Sequence, residues 1–88
     1  MMNISVDISL YPLDAGFSEL VLDFIDRISG IEGISIVRNT LSTQLFGEYK
    51  QVMALLETEM ATTFAQLPHS IFVLKLVGTD RNPNVILD

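Results

Sequence analysis

The residues best suited to catalysis or metal binding are few and scattered along the 88-residue chain. The only histidine, His69, has no cysteine to accompany it, and the acidic residues lack the clustered spacing of a metal site. The sequence contains neither a serine–histidine–acid order in a nucleophile-elbow context nor a glycine-rich phosphate loop. We therefore expect a protein with no metal, no cofactor and no enzymatic activity.

Asp7 and Lys75 are the other ionisable residues that could act together, because they lie in the first and last predicted strands. If those strands are neighbours, the two side chains form a cross-strand pair, which is most often a structural feature of a sheet. A small cofactor-free enzyme would need a buried acid or base, and only Asp7 or His69 is available. The residues favour this interpretation less than a binding function.

Composition and charge exclude several further classes of protein. The chain has 5 Lys and Arg against 11 Asp and Glu, so it lacks the basic face that binds a phosphate backbone or an anionic lipid. Without cysteine it cannot form a disulfide framework. The N-terminus lacks the features of a signal peptide, and the longest apolar run is too short for a bilayer span. We expect a cytoplasmic protein that binds neither nucleic acid nor membranes.

Hydrophobic periodicity predicts the elements that position these residues. Residues 4–11 alternate strictly between apolar and other side chains, as in a half-buried strand. Apolar residues then recur at helical spacing from Phe17 to Ile28, and Gly30 is placed to end that helix. The remaining predicted elements are strands at 34–38 and 43–47, a helix from about 48 to 66, and a strand at 70–77.

This βαββαβ order predicts a single α+β domain over residues 1–88, a ferredoxin-like sandwich with residues 79–88 as a C-terminal tail. Both crossover connections must be right-handed, so both helices cover the same face of a four-stranded antiparallel sheet. The first and third strands are then central. The other face of the sheet, called the open face below, has no helix to cover it.

The open face is too apolar to be left in water. Alternation places the following residues on it: Ser5, Asp7, Ser9, Tyr11, Val37, Gln44, Phe46, Ile71, Val73, Lys75 and Val77. We expect a second copy of the chain to cover this face, giving a dimer or a tetramer. We also expect the apolar residues 85–87 to dock on a neighbouring subunit or a sheet edge.

Two motifs carry a resemblance to a known family. They are Ile8-Ser9-Leu10-Tyr11-Pro12-Leu13, followed by Gly16, and Ser42-Thr43-Gln44-Leu45-Phe46-Gly47-Glu48-Tyr49, which Val52-Met53-Ala54-Leu55-Leu56 continues. In these motifs the chain resembles the thiamine-binding-protein-like family, small ferredoxin-like proteins that bind thiamine or its hydroxymethylpyrimidine part. The resemblance extends from about residue 3 to residue 81.

The resemblance implies binding of thiamine or hydroxymethylpyrimidine without turnover. Ser9, Tyr11 and Thr43 match family positions near the presumed pocket. The family's acidic residue at the end of the third strand is replaced here by Phe46, which can stack or pack but cannot accept a hydrogen bond. We expect a pyrimidine to stack near Tyr11 or Phe46, with hydrogen bonds from Ser9, Thr43 and Gln44.

A second interpretation comes from a different class of function. The chain would be a structural or regulatory homo-oligomeric module whose open face makes only subunit contacts and binds no small molecule. The two interpretations differ in whether the purified protein carries a planar heterocycle.

Overall fold

Six elements follow one another in the order βαββαβ in the computed structural model, which describes residues 2–13 and 18–82. They are β1 (Asn3–Pro12), α1 (Ser18–Ile28), β2 (Ser35–Arg38), β3 (Thr43–Glu48), α2 (Tyr49–Gln66) and β4 (Ser70–Val77). The strands form one antiparallel sheet in the order β2-β3-β1-β4. The predicted ferredoxin-like α+β fold is confirmed. Gly16, Phe17 and residues 85–87 lie outside the described residues.

β1 is a central strand, and its alternation defines the two faces of the sheet. Ile4, Val6 and Ile8 are between 1% and 3% exposed and form the centre of the hydrophobic core. Directly opposite Val6 lie Leu45 of β3 and Leu76 of β4, and cross-strand partners share a face. The core side chains of the helices that pack on this face are Phe24, Ile28, Val52 and Leu56. Both helices therefore cover one face, as predicted.

The helix ends follow from local chemistry. After α1, Gly30 adopts a positive φ of 73°, the left-handed conformation that commonly ends a helix. At the start of α2, the Glu48 carboxylate accepts hydrogen bonds from the backbone N–H groups of Lys50 and Gln51 at 3.0 and 3.2 Å. In the described part of the chain, neither helix is both long enough and apolar enough to cross a bilayer.

Arg27 joins the two helices. Its Nε donates a hydrogen bond to Glu59 Oε1 at 2.7 Å, and its Nη2 donates to Thr63 Oγ1 at 2.8 Å. The guanidinium also pairs with Asp23, one turn earlier on α1. The Arg27 side chain is only 20% exposed and Thr63 is fully buried. The spacing of the sequence predicts only the Asp23–Arg27 pair, whereas the contacts to α2 are tertiary.

The burial of α2 differs from the apolar stripe that helical spacing predicts for it, namely Tyr49, Val52, Met53, Leu56, Met60 and Phe64. The spacing of apolar residues places Tyr49 and Phe64 on the core side, but they are 39% and 42% exposed. The fully buried positions are Val52, Leu56 and Thr63. The hydroxyl of Thr63 is oriented toward α1 by the hydrogen bond from Arg27, so this polar residue occupies the core position near the end of α2.

Replacing Arg27 with Met should lower the free energy of unfolding by about 2 kcal/mol, because charge-assisted hydrogen bonds to Glu59 and Thr63 are lost. The matched control is Asp23→Asn, which removes only the exposed partner and should cost less than about 0.5 kcal/mol. Urea unfolding followed by circular dichroism measures both. Equal losses in the two variants would contradict a role for Arg27 in joining the helices.

Candidate functional site

The five residues predicted to bind a ligand line two different cavities. Ser9, Tyr11 and Thr43 line a cavity beside α1, whereas Gln44 and Phe46 line a second cavity on the open face. Alternation explains part of this division, because Thr43 shares the helix-covered face with Ile8, whereas Gln44 shares the open face with Asp7. Ser9 and Tyr11 also belong to the open face by register, although both line the cavity beside α1. The predicted composite site is therefore divided between two cavities.

The first cavity, called the α1-side cavity, has a volume of about 300 Å³. It lies between the C-terminal half of β1, helix α1 and the turn at residues 39–42. Its apolar wall includes Val21, Phe24 and Ile25, and the Phe24 ring lies 5.0 Å from the ring of Phe72. None of the described residues that line this cavity carries a formal charge.

Thr43 supplies the most distinctive polar group of the α1-side cavity. It lies opposite Ile8 and is only 6% exposed. Its hydroxyl group forms no hydrogen bond within residues 2–13 and 18–82, and it keeps contact with solvent, because every buried side-chain oxygen or nitrogen of the described residues has a partner. A ligand that enters the cavity can therefore pair with this hydroxyl without displacing a protein partner among the described residues.

Hydrogen bonds hold the turn at residues 39–42 against β1. Asn39 N donates to Ser42 O at 2.9 Å within the turn, and Ser9 Oγ donates to Leu41 O at 3.3 Å. Ser42 Oγ donates to Asp7 Oδ1 at 2.6 Å. The wall of the α1-side cavity that this turn forms is therefore attached to the central strand.

Asp7 and Lys75 are directly opposite in β1 and β4, as the sequence predicts. Within the described part of the chain they form no ion pair, and the Asp7 carboxylate instead accepts the hydrogen bond from Ser42. Asp7 is half-buried and His69 is exposed. No cluster of His, Asp or Glu that could hold a metal ion exists among the residues described.

The second cavity, called the open-face cavity, has a volume of about 210 Å³. The residues that line it are Ser5, Val6, Asp7, Gln44, Phe46, Lys75, Val77 and Arg81. A segment that follows β4, residues 78–82, folds back beside this cavity and is called the strap. Ser5 Oγ donates to Thr79 O and accepts from Arg81 N, both at 2.7 Å.

Phe46 is only 5% exposed although it points away from the helices, and it lines the open-face cavity together with Arg81 of the strap. Asn82 at the end of the strap is also buried, at 7% exposure. Periodicity could not predict the strap, because it is neither helix nor strand. The sequence does contain one local indication of the strap, because aspartate favours turns. Here Asp80 Oδ1 accepts a hydrogen bond from Asn82 N.

The other half of the open face remains apolar and exposed. Tyr11 lies opposite Ile71, and Val73 is the next residue on the same face of β4. These three residues, called the apolar patch, are 53%, 45% and 55% exposed. The patch and the open-face cavity therefore occupy different ends of the same sheet face.

Comparison with known proteins finds similarity in structure only. No protein-family model and no curated protein matches the chain. A protein from Streptococcus pneumoniae superposes with a TM-score of 0.82 at 18% identity, over 93% of this chain and 92% of that chain. A hypothetical protein from Methanocaldococcus jannascii superposes with a TM-score of 0.78 at 19% identity, over 98% of this chain and 90% of that chain.

A third solved structure is that of a proposed thiamine biosynthesis/salvage protein from Thermotoga maritima. Its TM-score is 0.75 at 17% identity, over 97% of this chain and 89% of that chain. At these identities the three similarities establish a shared fold.

Replacing Ser5 with Ala should loosen the strap, because the Ser5 hydroxyl forms hydrogen bonds with both Thr79 O and Arg81 N. We expect a loss of about 1–2 kcal/mol in the free energy of unfolding and faster hydrogen exchange at the Arg81 amide. The control is Ser35→Ala, which alters an exposed serine of β2. If Ser5→Ala matched Ser35→Ala in both measurements, the hydroxyl would not hold the strap.

Proposed function

We propose that the protein binds hydroxymethylpyrimidine or thiamine in the α1-side cavity without chemical turnover. The observation that carries the proposal is Thr43, a residue only 6% exposed whose hydroxyl forms no hydrogen bond within the described residues and which lines the same cavity as Ser9 and Tyr11. These three residues belong to the two sequence motifs that resemble the thiamine-binding-protein-like family. The proposed thiamine biosynthesis/salvage protein of the same fold supports the choice of ligand.

The size and chemistry of the α1-side cavity suit a small planar heterocycle. Its volume of about 300 Å³ lies at the lower end of the range for small-molecule sites. The Phe24 ring provides an apolar wall, and the hydroxyl group of Thr43 can pair with a ring nitrogen or an exocyclic amine. The site therefore favours a ligand with an aromatic ring and several hydrogen-bonding atoms.

The absence of charge in this lining distinguishes the two candidate ligands. Hydroxymethylpyrimidine is neutral at pH 7, whereas the thiazolium ring of thiamine carries a positive charge. Phe46, which replaces the acidic residue of the family, lies in the other cavity and provides no carboxylate either. Because a cation loses hydration without gaining a partner here, we expect the pyrimidine to bind more tightly than thiamine.

We also propose that the chain self-associates through the apolar patch into a dimer or tetramer. An exposed cluster of large apolar residues on a sheet face is typical of a protein–protein contact. This observation favours the second candidate function, a homo-oligomeric module, and it is compatible with the first. In both cases the proposed location is the cytoplasm, and the proposed partners do not include nucleic acid or membranes.

Calorimetric titration with hydroxymethylpyrimidine tests the first function. Thr43→Val keeps the shape of the side chain and removes the hydroxyl, so the affinity should fall about tenfold. Thr62→Val is the matched control, because the hydroxyl of Thr62 is exposed and bonds only to Thr58 O on α2. If the folded wild-type protein releases or absorbs no heat with either the pyrimidine or thiamine, the binding proposal is contradicted. The homo-oligomeric module without a ligand is then the better proposal.

Light scattering at micromolar concentration tests the self-association. The wild-type protein should be larger than its 9.8 kDa monomer, and Val73→Lys should dissociate it by placing a charge in the apolar patch. Leu22→Lys is the control, because Leu22 is equally exposed but lies on α1, away from the open face. A monomeric wild-type protein, or dissociation by both variants, would contradict the patch as the contact.

A further inference from the structure

The open-face cavity differs from the rest of the molecule in its charge. Two cations, Lys75 and Arg81, and one carboxylate, Asp7, line it, although the chain as a whole carries a net charge of −6. Three other cavities in the described part of the chain are lined either by an excess of acidic residues or by no charged residue. The positive excess is therefore local to this site.

The polar groups of this cavity are available to a ligand. Lys75 and Arg81 form no ion pair with any residue in the ranges 2–13 and 18–82. Gln44 is half-buried, and its side-chain amide forms no hydrogen bond within the same part of the chain. Asp7 is the exception, because its carboxylate already accepts a hydrogen bond from Ser42.

Strand register arranges these groups in two adjacent rows. Lys75, Asp7 and Gln44 lie side by side across β4, β1 and β3, and form a polar row. The next row on the same face consists of Val77, Ser5 and Phe46, whose outer members are apolar. The strap brings Arg81 over these rows through its backbone hydrogen bond to Ser5.

We propose that the open-face cavity binds a small aromatic anion, which is a ring bearing one phosphate or carboxylate group. The anionic group lies between Lys75 and Arg81, where charge-assisted hydrogen bonds are strong. The ring packs on Phe46 and Val77, and the Gln44 amide pairs with a ring substituent. This site goes beyond the proposed function, because the two cavities share no lining residue among those described and differ in charge.

Titration calorimetry in a phosphate-free buffer of low ionic strength tests the proposal, with phenyl phosphate as the probe. Phenyl phosphate should bind at least about tenfold more tightly than inorganic phosphate, which lacks the ring, or phenol, which lacks the charge. Benzoate identifies the anion: binding as tight as that of phenyl phosphate assigns a carboxylate, and weaker binding assigns a phosphate. Equal affinity for inorganic phosphate and phenyl phosphate would overturn the proposal.

Charge variants test the location of the site. Lys75→Gln and Arg81→Gln should each weaken phenyl phosphate binding about fivefold or more, because each removes one partner of the anion. Lys50→Gln is the matched control, since it removes the same charge from an exposed position of α2. An equal loss in Lys50→Gln, or no binding by the folded wild-type protein, would overturn the proposal. Thr43→Val should leave phenyl phosphate binding unchanged, which separates this site from the pyrimidine site.

Discussion

The alternation of β1 is the constraint on which the rest of the structure depends. Ile4, Val6 and Ile8 must face the helices, because a shift of one residue would place all three on the open face. Since β1 pairs with both β3 and β4, its register also fixes which residues of those strands share its two faces. The composition of each cavity therefore follows from the pattern of one strand.

The fold could be predicted from the sequence because strands and helices with one buried face have a regular period. The contacts of Arg27 and the strap could not, since both join residues distant in the chain and neither repeats. The motifs identified Ser9, Thr43 and Gln44 as polar candidates but not their separation. Adjacent residues of a strand point to opposite faces, so the side chains of Thr43 and Gln44 lie on opposite sides of the sheet although the residues are neighbours in the sequence.

The two cavities show how one sheet can support two kinds of chemistry. The described lining of the α1-side cavity is uncharged, and the hydrogen bonds of Ser9 and Ser42 hold in place the turn at residues 39–42 that forms one of its walls. The open-face cavity is charged and bounded by the strap, which the hydroxyl of Ser5 holds in place. In each case a serine hydroxyl links an irregular segment of the chain to β1. The net charge of the whole chain does not show this local difference.

The pairing of β1 with β4 has a consequence for how the chain is made. Ser5 and its hydrogen-bond partner Thr79 are 74 positions apart, so the ribosome synthesises one side of this pairing early and the other late. During that interval β1 can pair with β3, but its second edge has no strand beside it. The nascent chain therefore exposes unpaired backbone N–H and C=O groups along this edge of β1 until β4 emerges, and closure of so long a loop slows folding. Chaperone capture or premature association of nascent chains would act during this period.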